Sequence, residues 1–233
     1  MEFIAEIGLN HNGSDALLVE LIRQASISGA SYVKFQLGWR DKKDEINFFD
    51  ETKLKLLLKS CDHYSISPLF TLLHEDSYQL LTKLHKPKIL KIASRTLEND
   101  LDFCIKLSQR KHDLIISTGM SQRSISKINS VRNLMQSNCK FVWCMSNYPL
   151  YSWDVIDFPK EFNINGFYGL SDHSLGNEMA FLAIARGAKS IEKHFTIDKS
   201  DSTIRDHALS STQEEFCELV KIGKNLSKLA SDL

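Results

Sequence analysis

Along this chain, short runs dense in β-branched and aromatic residues alternate with longer runs whose apolar positions recur every three or four residues. The first pattern is that of buried strands and the second that of amphipathic helices. The opening unit reads FIAEIG, then the polar loop LNHNGS, then a stretch from Asp15 to Ser28 with Leu17, Leu18, Leu21, Ile22 and Ala25 at helical spacing. Ser14 is placed to cap that helix and Gly29 to end it. The second unit is SYVKFQ, a charged loop WRDKKDE and a helix from about Glu51 to His63. PLFTLL with EDSYQLLTKLH, KILKIAS with LENDLDFCIKLSQR, and DLIISTG with SQRSISKINSVRNLMQ continue the rhythm. KFVWCMS is followed by the Pro-bearing NYPLYSWDVIDFP, which supports a weak helix at most. The last two units are GFYGLS with a helix from Asn177 to Arg186, and SIEKHF with the loop DKSDSTIRDHALS and a helix from about Thr212 to Leu229.

The pattern predicts eight strands, seven clear helices and one doubtful one, with no Gly/Ser linker between them. That is the size and order of a closed (β/α)8 TIM barrel, an α/β fold occupying residues 1–233 as one domain. An open doubly wound sheet would put a glycine-rich phosphate loop after the first strand, and GLNHNG lacks that spacing.

A barrel of this kind carries its chemistry at the C-terminal strand ends. Polar residues cluster there in nearly every unit: Glu6 with Asn10 and His11 after it, Lys34 and Gln36, Thr71, Lys91 and Ser94, Ser117 and Thr118, Ser146, Ser171 and His173, Glu192 and His194. On the last strand Ser190, Glu192 and His194 share a face by the period of two, with Ile191 and Phe195 opposite. His173 and His194 then meet on one rim, with Asp172 and Glu192 as company, in a set that can hold a divalent metal. Lys34 and Lys91 with the hydroxyls suit a small polyanion carrying both carboxylate and phosphate. Glu6 is a candidate base, or equally a partner for Lys34 or Lys91. His63, His74, His85 and His112 read as solvated; Trp39 lines the mouth, and Trp143 and Trp153 pack.

Lys plus Arg equals Asp plus Glu at 29 each, so no net field draws nucleic acid or an anionic membrane. MEFIAEIGLNHNG goes directly into a strand-like segment, so no signal peptide is expected, and no 18-residue apolar run is present. Cys61, Cys104, Cys139, Cys144 and Cys217 form no C-x-x-C pair, which suits a reducing compartment and a cytoplasmic location.

The segments FIAEIGLNHNG, VKFQ, KIAS, ISTGMS, CMSNYP, GLSDHSLG and IEKHF, in this order from Phe3 to about Ser211, resemble the N-acetylneuraminate (sialic acid) synthases and their nonulosonate-forming relatives. The resemblance implies a barrel that condenses phosphoenolpyruvate with an open-chain N-acetylated amino sugar, using a divalent metal, manganese first, with magnesium or cobalt as alternatives. It implies His173 and His194 as metal ligands, and Lys34, Thr71, Lys91, Ser94, Ser146 and Ser171 as phosphoenolpyruvate contacts. Gln36 falls near the reacting centre, Glu6 handles the proton of the attacking water, and Tyr148 and Asp206 lie where the family meets its sugar.

Trp143 stands where the family usually has histidine, Leu72 where proline is usual, and Arg95 where glycine is common. The sequence ends with the eighth helix, whereas family members continue into a small antifreeze-like domain that, in dimers, supplies an arginine to the partner's sugar site. The resemblance therefore implies either a homodimer or a separate antifreeze-like partner. Two other readings stand beside it: a non-catalytic, partner-dependent barrel subunit, and an aldolase using Lys91 as a Schiff-base nucleophile.

Overall fold

Eight parallel strands pair in chain order and close when β1 (Glu2–Gly8) meets β8 (Ser190–His194). The computed structural model describes residues 1–39, 45–46, 48–110, 112–120, 125–135, 138–164 and 166–232. The loop residues Arg40 to Asp44 and the start of SQRSIS, residues 121–124, lie outside them. Between the ends run β2 (Tyr32–Leu37), β3 (Ser67–Leu72), β4 (Ile89–Ile92), β5 (Asp113–Ser117), β6 (Cys139–Cys144) and β7 (Gly169–Asp172). The helices are α1 (Asp15–Ile27), α2 (Glu51–His63), α3 (Glu75–Leu84), α4 (Ser94–Asn99), α5 (Leu101–Ser108), α6 (Ile125–Leu134), α7 (Glu178–Ala185) and α8 (Gln213–Asp232).

Two expectations are refined. The single helix read across LENDLDFCIKLSQR is broken at Asp100, whose own N–H closes α4 on Thr96 O while its side chain caps α5 by accepting from Phe103 N. After β6 there is only a 3-10 turn, Ser152–Asp154, because Pro149 and Pro159 bracket a segment with no helical apolar period.

The period of two divides each strand between two cores. Outward residues such as Phe3, Val33, Phe35, Phe70, Leu90, Ile116, Phe141, Trp143 and Ile191 pack under the helices. Inward residues Ile4, Leu69, Ile115 and Val142 form a separate apolar plug inside the barrel. Towards the C-terminal ends of the strands the inward positions turn polar: Glu6, Thr71 and Ser117 follow Ile4, Leu69 and Ile115 by two residues, and Ser171 and Glu192 join them from β7 and β8. The plug closes the barrel from below, and the layer above it faces the mouth.

Candidate active site

A cavity of about 710 Å³ opens at the C-terminal end of the strands. The twelve residues that the resemblance assigns to the site all line it: Glu6, Lys34, Gln36, Thr71, Lys91, Ser94, Ser146, Tyr148, Ser171, His173, His194 and Asp206. Ser117, Glu192 and Trp39 line it as well.

Its floor is a ring of buried charges. Lys34 Nζ lies 2.8 Å from Glu6 Oε2 and 3.5 Å from Glu192 Oε1, and donates to Thr71 Oγ1 at 3.1 Å. Lys91 Nζ donates to Ser117 Oγ at 2.5 Å and sits 3.8 Å from Glu192 Oε2. Ser171 Oγ donates to Glu192 Oε1 at 2.7 Å, and Gln36 Nε2 donates to Glu6 Oε1 at 2.9 Å. Burial works against every one of these charges, so the balance is set by who faces whom. It raises Glu6, with Lys34 pulling the other way. For Glu192 the two lysines outweigh burial and hold the carboxylate at about 2. For Lys34 burial is likewise outweighed by Glu192 and Glu6, and its pKa rises; for Lys91 burial wins and its pKa falls. Glu192 Oε2 remains buried with no donor nearer than Lys91 Nζ at 3.8 Å, whereas Glu6 Oε2 has Lys34 Nζ alone.

Two glycines make the floor possible. Gly8, at φ +53°, follows a register shift in the β1–β2 pairing, and a Cβ there would lie 3.1 Å from Glu6 Oε1. A Cβ on Gly119 would lie 2.7 Å from both Cys144 Sγ and Ser146 Oγ, while its N–H donates to Ser94 Oγ at 2.7 Å.

On the β7–β8 side the two imidazoles meet, with ring centroids 5.5 Å apart. His173 Nδ1 donates to Met145 O at 2.7 Å, which fixes the ring and leaves Nε2 as its acceptor nitrogen. Burial holds His194 below the usual histidine pKa, and its Nδ1 is buried without a partner. Two imidazoles with unused nitrogens suit a borderline divalent ion and leave most coordination positions to water and substrate. Among the described residues no group of three or more His, Cys, Asp or Glu is arranged to hold one. The Tyr148 ring stacks 4.1 Å from His173.

Several expectations fail here. Asn10 and His11 are turned into the wall. Asn10 Nδ2 binds Phe195 O and Ser210 Oγ, and the His11 ring packs on Phe49 at 5.4 Å. Thr118 Oγ1 donates to Val142 O. Asp172 is not company for the imidazoles: it alternates with Ser171 and His173, points outward, and pairs with Lys193 Nζ at 2.8 Å. Trp143 packs as expected, but Trp153 is 77% exposed and stacks on Tyr151. His112 is not merely solvated, since it bonds Tyr78 OH and Pro87 O, and His74 caps α3. Sequence reasoning overlooked Cys144, Arg95 and Arg205 as lining residues. Cys144 was readable, being two residues before Ser146 on an inward position; the arginines sit beyond strand ends, where no period applies.

Comparison with known proteins adds a lineage. Residues 39–232 match the NeuB family. The chain is 34% identical over 253 residues to the N,N'-diacetyllegionaminic acid synthase of Legionella pneumophila, covering 94% of this chain and 70% of that protein. It is 29% identical to the pseudaminic acid synthase of Campylobacter jejuni, covering 93% and 71%. The crystal structure of an N-acetylneuraminic acid (sialic acid) synthetase from Leptospira borgpetersenii, in complex with citrate, superposes with a TM-score of 0.85 at 27% identity, over 97% of this chain and 84% of that one.

Proposed function

The chain belongs to the NeuB family, and from that premise we propose that it joins phosphoenolpyruvate to an open-chain N-acetylated amino sugar, giving a sialic-acid-like nonulosonic acid and phosphate. What supports the reading is the convergence of two ammoniums, two imidazoles and a buried carboxyl on one opening. The relatives from Legionella pneumophila and Campylobacter jejuni, named as synthases of such acids, agree with it.

Lys34 and Lys91 hold the carboxylate and phosphate of phosphoenolpyruvate, with Thr71, Ser94, Ser117, Ser146 and Ser171 supplying hydroxyls around them. Fixing both anionic ends orients carbon 3 towards the acceptor, and orientation of this kind supplies a large share of a bimolecular barrier. His173 and His194 would hold a divalent cation, manganese first, which as a Lewis acid polarises the acceptor aldehyde. Carbon 3 forms the new C–C bond as the aldehyde C=O π pair moves onto its oxygen, which takes a proton from solvent to become a hydroxyl, and positive charge develops at carbon 2. Glu6, lifted by burial and steered by Gln36, accepts the proton of the water that adds there. The tetrahedral carbon then releases phosphate by C–O cleavage and keeps the water oxygen as its ketone. Lys34 and Lys91 stay beside the oxygens that gain charge. Tyr148 and Asp206 meet the sugar. The reading places the reaction in the cytoplasm; among the described residues no helix is long and apolar enough to cross a membrane.

The test is phosphate release from phosphoenolpyruvate with Mn2+ and a panel of N-acetylated amino sugars, with and without EDTA. Release that needs one particular sugar and is abolished by EDTA is expected; release indifferent to both contradicts the reading. His194→Ala is expected to lose most Mn2+ binding by calorimetry while melting normally. The lowered pKa of Lys91 also suits a Schiff-base lysine; a borohydride-trapped adduct on Lys91 would favour the aldolase, and none is expected.

A further inference from the structure

Asn10 and His11, turned into the wall, belong to a turn between β1 and α1 that is fastened on both sides. Lys53 Nζ donates to Gly13 O at 2.8 Å, and the His11 ring packs on Phe49, both partners lying after β2. On the other side stands the loop between β8 and α8. Asn10 Nδ2 donates to Ser210 Oγ at 2.9 Å, and Ser210 Oγ donates in turn to Asp206 O at 2.6 Å.

Asn12 makes the second connection to that loop, and both ends of its amide are used. Nδ2 donates to Asp201 Oδ2 at 2.6 Å, and Oδ1 lies 3.1 Å from His207 Nε2. A carboxylate oxygen only accepts, so the amide nitrogen faces Asp201 and the amide oxygen faces His207. His207 therefore carries its proton on Nε2 and accepts at Nδ1 from Thr196 Oγ1, 2.6 Å away. The other Asp201 oxygen accepts from Thr203 N at 2.8 Å. Asn12 itself sits at φ +49°, a region asparagine enters more readily than most residues.

Asp201 and His207 bracket residues 202–206, and Thr203, Ile204, Arg205 and Asp206 of that span line the cavity. The lysines and hydroxyls assigned to phosphoenolpyruvate all stand on β2 to β7 or just after them. The span is thus a separate piece of the mouth, with Arg205 over the Tyr148 ring at 4.5 Å. We propose that Asn12 is a positioning residue for the acceptor side of the cavity. By holding Asp201 and His207 at once it fixes both ends of the span, and with them the places of Arg205 and Asp206. The identity of the ligand rests on the condensing reading above; the hold on the span does not.

The experiment is a reciprocal exchange. Asn12→Asp sets two carboxylates face to face. Asp201→Asn, its oxygen kept on Thr203 N, sets two amide nitrogens face to face. The double variant restores a donor against an acceptor with the polarity reversed, and His207 Nε2 still meets an oxygen at position 12. Each is checked by thermal melting and read in two ways. One is KM for phosphoenolpyruvate and for the N-acetylated amino sugar that wild type turns over. The other is deuterium exchange across residues 203–210, where the amides of Thr203, His207 and Ser210 are hydrogen-bonded.

Either single variant is expected to raise KM for the sugar at least tenfold and to speed exchange at least tenfold. KM for phosphoenolpyruvate should stay within twofold, and the double variant should recover most of both losses. Should a single variant fail to fold, Asn12→Gly removes the amide without straining the positive φ and should show the same two changes. Unchanged exchange, an unchanged KM for the sugar, an equal rise for phosphoenolpyruvate, or a double variant no better than the singles overturns the proposal. If wild type turns over no acceptor, the condensing reading falls, and exchange alone decides whether Asn12 holds the span.

Discussion

Two buried lysine–carboxylate pairs sit on opposite faces of the same barrel wall, and they are finished differently. Outside, Lys193 Nζ donates to Asp172 Oδ2 and to Ser174 O, while Asp172 Oδ1 accepts from Ser174 N and Oγ. Both carboxylate oxygens are satisfied there, and neither Lys193 nor Asp172 has a buried atom left over. Inside, Lys34 and Lys91 share Glu6 and Glu192, and one oxygen of Glu192 is buried with no donor nearer than 3.8 Å. A closed network holds one arrangement, whereas an open one can exchange partners with an incoming anion. The outer pair therefore pins β7 to β8, and on the proposed function the inner ring is stability given up to keep the floor ready for substrate.

The largest expected effect tests the inner ring. Lys91→Met should lower kcat/KM for phosphoenolpyruvate by a factor of roughly 10³ or more, since it removes a charge on the reacting anion. Its melting temperature should stay close to wild type because Glu192 keeps Lys34. Lys193→Met should do the reverse. Leaving the buried Asp172 carboxylate without its ammonium costs about 3–5 kcal/mol in urea unfolding, with KM for phosphoenolpyruvate little changed in whatever folds. If the two variants give the same profile, the distinction between closed and open pairs fails. Gly119→Ala comes next, with Cβ driven against Cys144 and Ser146. About 1–3 kcal/mol of overpacking and a raised KM for phosphoenolpyruvate are expected.

The smallest effect concerns pH. His11 is buried, and burial with the nearby Lys53 holds it down at about 3. A histidine whose folded pKa lies below its unfolded value adds stability that is full above about pH 6.5 and is lost as pH falls towards the folded value. Urea unfolding should show about 1 kcal/mol less stability at pH 5.5 than at pH 7. His11→Gln should reduce that slope, leaving the share of His194 and His207, whose pKa values burial also lowers, and an unchanged slope would place the acid sensitivity outside His11.

The strands and the inward polar layer were legible because both follow from one period. Once FIAEIG or SIEKHF is read as a strand, Glu6, Glu192 and His194 must share the inner face. The same rule, applied one residue further, would have turned Asp172 outward. Loop residues obey no such rule. Asn10 and His11 follow Gly8 at φ +53° and are swung into the wall by contacts with Phe195 and Phe49, far off in the chain or across a loop. Arg95 and Arg205 owe their positions to rings at Trp39 and Tyr148, contacts no local pattern encodes. The break at Asp100 was readable in principle, since an aspartate three residues before Phe103 is a cap signal, but the continuous apolar period hid it.

The most direct measurement follows the bridging oxygen of phosphoenolpyruvate labelled with 18O between carbon 2 and phosphorus. Mass spectrometry of the products, with Mn2+ and a competent sugar, should find the label in inorganic phosphate, alongside a sugar acid three carbons longer than the acceptor. Unlabelled phosphate, pyruvate carrying the label and no lengthened sugar acid would mean that water attacks phosphorus, and the open ring of charges would not be a condensing site.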